Sequence, residues 1–383
     1  MGIYADYAAT TPVKSEVIDA MMDIYQNHFG NPSSIHTQGR DARRFLDDSR
    51  RAIAKILNVR PAEIIFTSGA TESNNTVIKG IAYANQTKGK HLITTKIEHH
   101  SVLHVFEHLE QQGFEVTYLD VDTSGIVDLE QLRGALREDT ILVSIMLVNN
   151  EVGTVQPIYD IQSIVDSAPH AYFHTDAVQA AGHLELNIED LQVDALSLSA
   201  HKFGGPKGTG LLYIKQGTTI AYQQLGGEQE TKRRAGTENI PQIVGLTTAL
   251  TLADKQRDAH NIHIAQLKEQ LLVGLQNRAI PFEVNGSMMD TTNHIVNLYF
   301  PFIDVETLLT LLDLEGIYVS SGSACTAGST IPSHVLSAMY GEDERVTHSI
   351  RISLHETLTE QDMNQIIVAL QKIYLKFKEE EHA

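Results

Sequence analysis

Short runs of β-branched and aromatic residues alternate with segments of helical periodicity through the first two thirds of the chain. The strand-like runs are residues 63–67, 91–95, 141–145 and 172–175, and helical segments such as residues 74–85 and 101–111 lie between them. Strands separated by helices pair in a mainly parallel sheet whose faces the helices cover. The sequence therefore predicts an α/β fold with ligands at the carboxyl ends of the strands.

The last third of the chain has a different pattern. Residues 242–278 form a long helical segment without proline, and strand-like runs follow at residues 293–300 and 350–354. A sequence that resembles a capping box predicts a last helix from near Thr359. Because 383 residues exceed one ordinary domain, we expect a second, smaller α+β domain.

Charge and composition exclude several classes of function. The chain carries 29 Lys and Arg residues against 48 Asp and Glu residues, so direct binding to nucleic acid is not expected. Its apolar runs fall short of the roughly 20 residues that cross a bilayer, and its N-terminus lacks a secretion signal, which predicts a cytoplasmic protein without membrane contact. The single cysteine excludes an internal disulfide and a metal site of thiolates from this chain.

Lys202 follows an alternating run that ends at Ser199 and precedes a glycine-rich turn. A lysine at a strand end, among small and hydroxyl residues, is suited to form a Schiff base, because desolvation frees its amine. The alternative is a solvated Lys202 beside a simple hairpin turn at residues 204–210. The residues after Gly210 form a strand and not a helix, so the turn is not a nucleotide-binding P-loop.

Asp176 and Gln179 lie at the end of the preceding strand-like run. Pyridoxal phosphate needs an anionic carboxylate that keeps its pyridine nitrogen protonated, and Gln179 carries an amide that could donate to the ring oxygen. This pair therefore predicts a pyridoxal-phosphate site. The alternative, that Asp176 only caps a helix, stays open at this point.

Residues 63–74 have the pattern of a strand, a tight glycine turn and a helix start. Free backbone N–H groups and the helix dipole would face one anion there, which predicts a phosphate site at the turn that contains Gly69, Ala70 and Thr71. An ordinary connection between a strand and a helix has the same pattern, so this indication needs support from the other segments.

Cys325 lies in a run of small, polar residues. Cysteines are more often buried and inert, but this one lacks apolar neighbours that would bury it, so we interpret it as a reactive thiolate. His100, His104 and His108 share one predicted helix face, where a solvated surface explains the spacing better than a metal site. His99, just before that helix, is better placed for chemistry.

Eight motifs together resemble those of the cysteine desulfurases of the NifS and IscS type, which are class-V aminotransferases of fold type I. In chain order they are YAATTP from Tyr7, FGNP from Phe29, TSGATES from Thr67, NNEVG from Asn149, DAVQ from Asp176, SAHK from Ser199, RAGT from Arg234 and SGSACT from Ser321. The resemblance implies a large domain of residues 16–255 with a mainly parallel seven-stranded sheet, and a small domain of residues 1–15 and 256–383.

The resemblance also implies roles for residues around the cofactor, pyridoxal 5'-phosphate. Lys202 would bind it as a Schiff base, Asp176 would pair with the pyridine nitrogen and Gln179 would hold the ring oxygen. His99 would stack on the ring and act as an acid or base. Further contacts would come from Ala70, Thr71, Asn150, Ser199, Ala200 and His201, with Thr237 reaching the phosphate bound by the other subunit of a homodimer.

On the substrate side, the resemblance implies that Arg351 and Asn150 bind the carboxylate of L-cysteine. Lys202 would remove the α proton, and Cys325 would take the sulfur as a persulfide while L-alanine is released. The persulfide would pass to an acceptor protein for iron–sulfur cluster assembly or tRNA thiolation. The scaffold-docking extension of IscS-type members is not found before Ala383, so the acceptor stays open.

Two alternative functions use the same residues. An aminotransferase or another lyase, such as a selenocysteine lyase, would keep the cofactor and leave Cys325 without a role. A cofactor-binding regulator or a sulfur-handling scaffold would show no turnover with any amino acid. Substrate profiling separates these functions from a desulfurase.

Overall fold

The computed structural model describes residues 2–322 and 332–380, so Cys325 lies outside the described residues. The helices are α1 Ser15–Asn27, α2 Thr37–Leu57, α3 Ala70–Asn85, α4 His100–Gln111, α5 Leu129–Ala135, α6 Ile158–Val165, α7 Ile188–Leu191, α8 Gln229–Lys232, α9 Ile240–Asn277, α10 Val305–Leu314, α11 His334–Tyr340 and α12 Glu360–Glu380. The strands are β1 Ile3–Tyr4, β2 Ile64–Thr67, β3 His91–Thr95, β4 Glu115–Leu119, β5 Thr140–Ser144, β6 Tyr172–Asp176, β7 Ala195–Ser199, β8 Gly210–Ile214, β9 Glu283–Asn285, β10 Ile295–Tyr299, β11 Ile317–Tyr318 and β12 Ser349–Ser353.

A seven-stranded sheet forms the centre of the larger part of the molecule. Its strand order is β2-β8-β7-β6-β5-β3-β4, and only β8 runs antiparallel to its neighbours. The predicted α/β class and the mainly parallel seven-stranded sheet are therefore confirmed. The parallel strands β5, β6 and β7 end side by side, which brings the residues after them to one edge of the sheet.

Both faces of this sheet are covered by helices because successive side chains of a strand point to opposite faces. Ile64 and Phe66 of β2 belong to a core with α1, α2, α6 and the first half of α9. Ile65, between them, belongs to a second core with α3 and α4. Burial on both faces accounts for the nearly continuous apolar character of the central strands.

A second, smaller sheet packs against the end of α9. β10 lies between β9 and β12 in an antiparallel sheet of three strands, and β1 pairs in parallel with β11. The core of this region also includes α12 and residues of α9 from Ile264 to Leu275. The mixture of helices and antiparallel strands agrees with the expected α+β character, and the division at residues 15/16 and 255/256 stays a prediction.

Several predicted element boundaries agree closely with the structure. β3 matches residues 91–95, and α9 lies within two residues of the predicted segment 242–278. α3 begins at Ala70, directly after the predicted glycine turn, although its polar first turn lacks the apolar periodicity that starts at residue 74. None of the described helices combines the length and apolar character needed to span a membrane.

Candidate active site

A cavity of about 440 Å³ opens at the carboxyl ends of β6 and β7. Ten predicted site residues line it: Ala70, Thr71, His99, Asn150, Asp176, Gln179, Ser199, His201, Lys202 and Arg351. Ala200 is fully buried and Thr237 is exposed, and neither lines the cavity within this chain. The structure thus brings together side chains from segments that are far apart in the sequence.

Lys202 lies at the end of a single 3-10 turn, Ala200–Lys202, that follows β7 directly. Its Nζ donates to the carbonyl of Ala8 at 2.5 Å and to that of Ala9 at 3.0 Å. The amine is therefore half-buried and lines the cavity, in contrast to the solvated position that a simple hairpin turn would have produced.

Asp176 is the last residue of β6 and is almost fully buried, at 4% exposure. Its Oδ2 accepts a hydrogen bond from Asn74 Nδ2 at 2.8 Å, and its Oδ1 accepts one from the backbone N–H of Val178 at 3.0 Å. Asn74, from α3, also donates to Ser101 Oγ at 2.9 Å. The carboxylate is thus held in one orientation at the cavity wall.

His99 is the N-cap residue of α4, and its Nδ1 accepts a hydrogen bond from the backbone N–H of Ser101 at 3.1 Å. Because Nδ1 is the acceptor, the neutral ring carries its proton on Nε2. Burial lowers the pKa of His99, and the charge of Asp176 opposes that effect. The ring is therefore neutral near pH 7 and holds one proton at a defined atom.

The N-terminus of α3 provides backbone donors at the opposite end of the cavity. Gly69, its N-cap residue, has a φ of 151° and supplies no side-chain cap, so the first N–H groups, at Ala70 and Thr71, have no partner within the helix. Ser199 and His201 lie beside this helix end in the cavity wall. Burial lowers the pKa of His201 to about 4, which leaves a neutral imidazole that can donate to an anion.

These groups are of the chemical types that bind the separate parts of pyridoxal phosphate. Free backbone donors at a helix N-terminus suit the phosphate, a buried carboxylate suits the pyridinium, and a half-buried amine suits the aldehyde. All three line one cavity, whose volume lies in the ordinary range for cofactor sites. The alternative functions considered for the separate segments do not explain why the structure brings them together.

Arg351 forms the wall of the cavity opposite the sheet and is the largest fully buried side chain of the described residues. Its Nη2 forms an ion pair with Asp6 Oδ1 at 2.7 Å, and its Nη1 donates to the carbonyl of Asn150 at 2.8 Å. A buried guanidinium needs such partners to offset its desolvation. Its Nε–H is buried and has no hydrogen-bond partner among the described residues.

The family model described as aminotransferase class-V matches residues 3–366. This match covers nearly the whole chain. The chain belongs to the class-V aminotransferase family.

Individual relatives of the family agree with this assignment. The cysteine desulfurase IscS of Methanosarcina thermophila is 47% identical, and the match covers 98% of this chain and 93% of that protein. A solved NifS-like protein is 39% identical with a TM-score of 0.92 and covers 98% of this chain and 100% of its own. SspA, solved in complex with cysteine, is 37% identical with a TM-score of 0.81, and the match covers 92% of this chain and 99% of SspA.

Membership in this class-V family confirms the predicted resemblance, the fold class and the cofactor, pyridoxal phosphate. The assignment of separate roles to Lys202, His99 and the other site residues stays a prediction, since it depends on which contacts form when the cofactor is bound.

Two side chains around the pocket were missed by the sequence analysis. Asp6 precedes the motif YAATTP and pairs with Arg351, and Asn74 follows the motif TSGATES and holds Asp176. Their position next to a class-V motif was the signal that could have identified them. Their partners could not be read from the sequence, because each hydrogen bond joins segments more than a hundred residues apart.

The described residues on either side of Cys325 lie next to the pocket. Ser320 exchanges two backbone hydrogen bonds with Arg351, and Ser333 Oγ donates to Glu151 Oε2 at 2.5 Å. Glu151 is buried and follows Asn150, the pocket residue whose carbonyl binds Arg351. Both described flanks of the segment are therefore attached to the Arg351 side of the cavity.

The histidines of α4 show no metal-site geometry. The rings of His100 and His104 stack at 5.0 Å, while His104 and His108 are exposed to solvent. Within residues 2–322 and 332–380, no cluster of histidine, cysteine and carboxylate side chains is arranged to hold a metal ion.

Proposed function

We propose that the cavity around Lys202 is the active site of a pyridoxal-phosphate-dependent cysteine desulfurase, which converts L-cysteine to L-alanine and a persulfide on Cys325. One observation carries the proposal: the amine of Lys202, the carboxylate of Asp176 and the guanidinium of Arg351 line a single cavity. The activity is that of the cysteine desulfurase relatives, which match nearly the full chain. The cysteine bound to SspA supports the choice of substrate.

When bound, the cofactor supplies an electron sink for the pair released at the substrate's α carbon. Arg351 binds the substrate carboxylate and so directs the α carbon toward Lys202. The amine of Lys202 removes the α proton, as a base whose position is set by the end of β7. His99 holds a proton on Nε2 at the cavity wall, where it serves as an acid toward substrate or product.

Cys325 accepts the sulfur of the substrate and carries it as a persulfide to an acceptor protein. Its described flanks, at Ser320 and Ser333, support this role because both are attached beside Arg351 and Glu151. The acceptor is an iron–sulfur scaffold or a tRNA-thiolation enzyme, and the cytoplasm is the expected compartment.

We also propose a homodimer. Apolar side chains are exposed on α1, such as Met22 and Tyr25, and in the residues after it, where Phe29 and Ile35 are 77% and 91% exposed. Apolar patches of this kind are typical of protein interfaces. The exposed Thr237 supports the expectation that it contacts the phosphate bound by the second subunit.

The test loads purified protein with pyridoxal phosphate and adds L-cysteine labelled with radioactive sulfur. We expect alanine in solution and label bound to the protein that a thiol reductant releases. Cys325→Ala should keep the visible absorption of the cofactor and lose the bound label, since no other cysteine exists in the chain. Turnover by Cys325→Ala at the wild-type rate would exclude the persulfide role.

Lys202→Ala tests the cofactor site in the same assay. The variant should lose the visible absorption of the covalently bound cofactor, and turnover should fall by about 10³-fold or more. Lys215→Ala is the matched control, because Lys215 is exposed on the far side of β8 and pairs with Asp194. Alanine release without label on Cys325 would indicate one of the alternative pyridoxal-phosphate reactions.

A further inference from the structure

His294 is a buried histidine in the connection before β10, and it lies behind a residue that lines the cofactor cavity. Its Nε2 lies 3.3 Å from Oε1 of Gln179, a cavity-lining side chain. We propose that His294 is a positioning residue for the cofactor, which orients the amide of Gln179 so that it donates a hydrogen bond to the ring oxygen. This inference depends on the proposed contact between Gln179 and the cofactor.

The two hydrogen bonds of Gln179 determine which way its amide faces. Gln179 Nε2 donates to the carbonyl of Ala8 at 3.0 Å, so the nitrogen end of the amide points toward Ala8. The oxygen end then faces His294, and because an amide oxygen only accepts, His294 Nε2 must be the donor. A reversed amide would set its N–H₂ group against the N–H of His294.

The environment of His294 keeps its ring neutral. The ring stacks on that of His183, with centroids 3.5 Å apart and planes 2° apart. Burial lowers the pKa of His294 well below its usual value, and the nearby charges of Lys268 and Arg351 add to this effect. Burial also lowers the pKa of His183 to about 4. His294 is therefore neutral, with Nε2 as donor and Nδ1 without a hydrogen.

The remaining groups around His294 do not compete for this donor. His294 Nδ1 and His183 Nδ1 are buried and have no partner among the described residues. Both residues border a second cavity, of about 30 Å³, that Gln179 and Lys202 also line.

The two hydrogen bonds of Gln179 hold its remaining N–H donor in one position for the cofactor. With Oε1 bound by His294 and one Nε2 hydrogen bound by the carbonyl of Ala8, the second Nε2 hydrogen is the donor that the side chain of Gln179 keeps for the cavity. A donor at the ring oxygen stabilises its anionic form, so losing the donor moves the pH midpoint of the cofactor's visible absorption upward. We expect a shift of about one pH unit.

The experiment titrates the visible absorption of the holoenzyme with pH and compares four variants with the wild type. His294→Phe keeps a ring for stacking but has no donor, and His294→Gln places an amide N–H near the position of Nε2. Gln179→Leu removes the proposed hydrogen bond to the ring oxygen and so gives the full effect of its loss. His183→Phe is the control, because it keeps the stacked partner and leaves the bond between His294 and Gln179 unchanged.

The proposal expects His294→Phe to shift the midpoint in the same direction as Gln179→Leu, and His294→Gln to restore it. A fifth variant, which combines His294→Phe with Gln179→Leu, should shift the midpoint no further than Gln179→Leu alone. A wild-type midpoint in His294→Phe, with a shifted one in Gln179→Leu, would overturn the role of His294 and leave the proposed function intact. If Gln179→Leu does not shift the midpoint, both the role of His294 and the contact on which it depends are wrong.

Circular dichroism establishes that each variant is folded before it is titrated. If His294→Phe does not fold, His294→Met replaces it, since methionine has a similar length and no donor. A wild-type midpoint in the methionine variant would overturn the proposal in the same way.

Discussion

The two walls of the cofactor cavity are built differently. On the wall formed by the sheet edge, Asp176 ends β6, Lys202 follows β7 and the donors at Ala70 begin α3, so each group occupies the end of a regular element. On the opposite wall, Arg351 meets Asp6 and Asn150 from segments 345 and 201 residues away. The first wall suits a cofactor, and the second suits the carboxylate of a substrate.

This difference implies that the two binding events can be disrupted separately. Groups at the ends of strands are held by the sheet itself, which remains intact when one side chain is replaced. Arg351 instead depends on the partners that offset the cost of burying its charge. Substitutions on the sheet wall should change cofactor binding, and substitutions on the Arg351 wall should change the KM for substrate.

Among these substitutions, Arg351→Lys should show the largest difference between its effect on the KM for substrate and its effect on cofactor binding. An ammonium group cannot reproduce the two parallel hydrogen bonds of a guanidinium to a carboxylate, so the KM for L-cysteine should rise about 10- to 100-fold. Affinity for pyridoxal phosphate, measured by titration of its visible absorption, should stay within about twofold of the wild type.

Arg345→Lys provides the matched control for that substitution. Arg345 packs between the rings of Tyr299 and Tyr340 and bonds Asn285, and it does not line the cavity. Its replacement should leave the KM unchanged. Equal changes in KM and in cofactor affinity for Arg351→Lys would contradict the separation of the two walls.

A smaller effect is expected on the sheet wall for Asn74→Ala. The substitution removes the donor to Asp176 Oδ2 and the donor to Ser101, and it should weaken pyridoxal-phosphate binding about tenfold with little change in the KM for L-cysteine. Asn75→Ala is the control, since Asn75 Nδ2 bonds only the Thr71 carbonyl of its own helix among the described residues. An unchanged affinity for the cofactor would show that Asn74 does not support Asp176.

The smallest effect is expected for Glu98, which lies behind the sheet wall, and it is an effect on the stability of the fold. Burial raises the pKa of Glu98 to about 8, although its Oε1 accepts hydrogen bonds from the Met146 N–H and Thr95. The folded protein keeps this proton up to about pH 8, while the unfolded chain loses it above about 4.5. Stability from this group is therefore fully present below pH 4.5 and is lost as the pH rises to about 8.

Glu98→Gln imitates the protonated acid and should remove that dependence. We expect the Tm at pH 8 to rise by about 2–4 °C, with no gain near pH 4.5, in calorimetric scans across the range.

Glu63→Gln should change the Tm in the opposite direction from Glu98→Gln. Burial pushes the pKa of Glu63 upward, but hydrogen bonds from Arg60 and the Gln216 N–H outweigh this and lower it. Its carboxylate therefore stabilises the fold at neutral pH, and the substitution should reduce the Tm there. If the Tm of Glu98→Gln equals that of the wild type at every pH, the prediction that Glu98 is buried in its neutral, protonated form is wrong.

Much of the sheet wall could be predicted from the sequence because local patterns identify where strands end. The run before Lys202, the pair Asp176 and Gln179, and the turn at Gly69 each indicate an element boundary, and parallel strands bring such boundaries together. The apolar periodicity of α3 starts only at residue 74, so the glycine turn, and not periodicity, indicated where this helix begins.

The sequence by itself determined the fold class, the family and the kinds of chemical group at the site, because these depend on periodicity and on motifs of a few residues. Only the tertiary structure decided which atoms meet: Asp6 with Arg351, Asn74 with Asp176 and His294 with Gln179. The physical reason is that a hydrogen bond requires two atoms about 3 Å apart in a suitable direction, and such a distance between remote segments results from the packing of the whole chain.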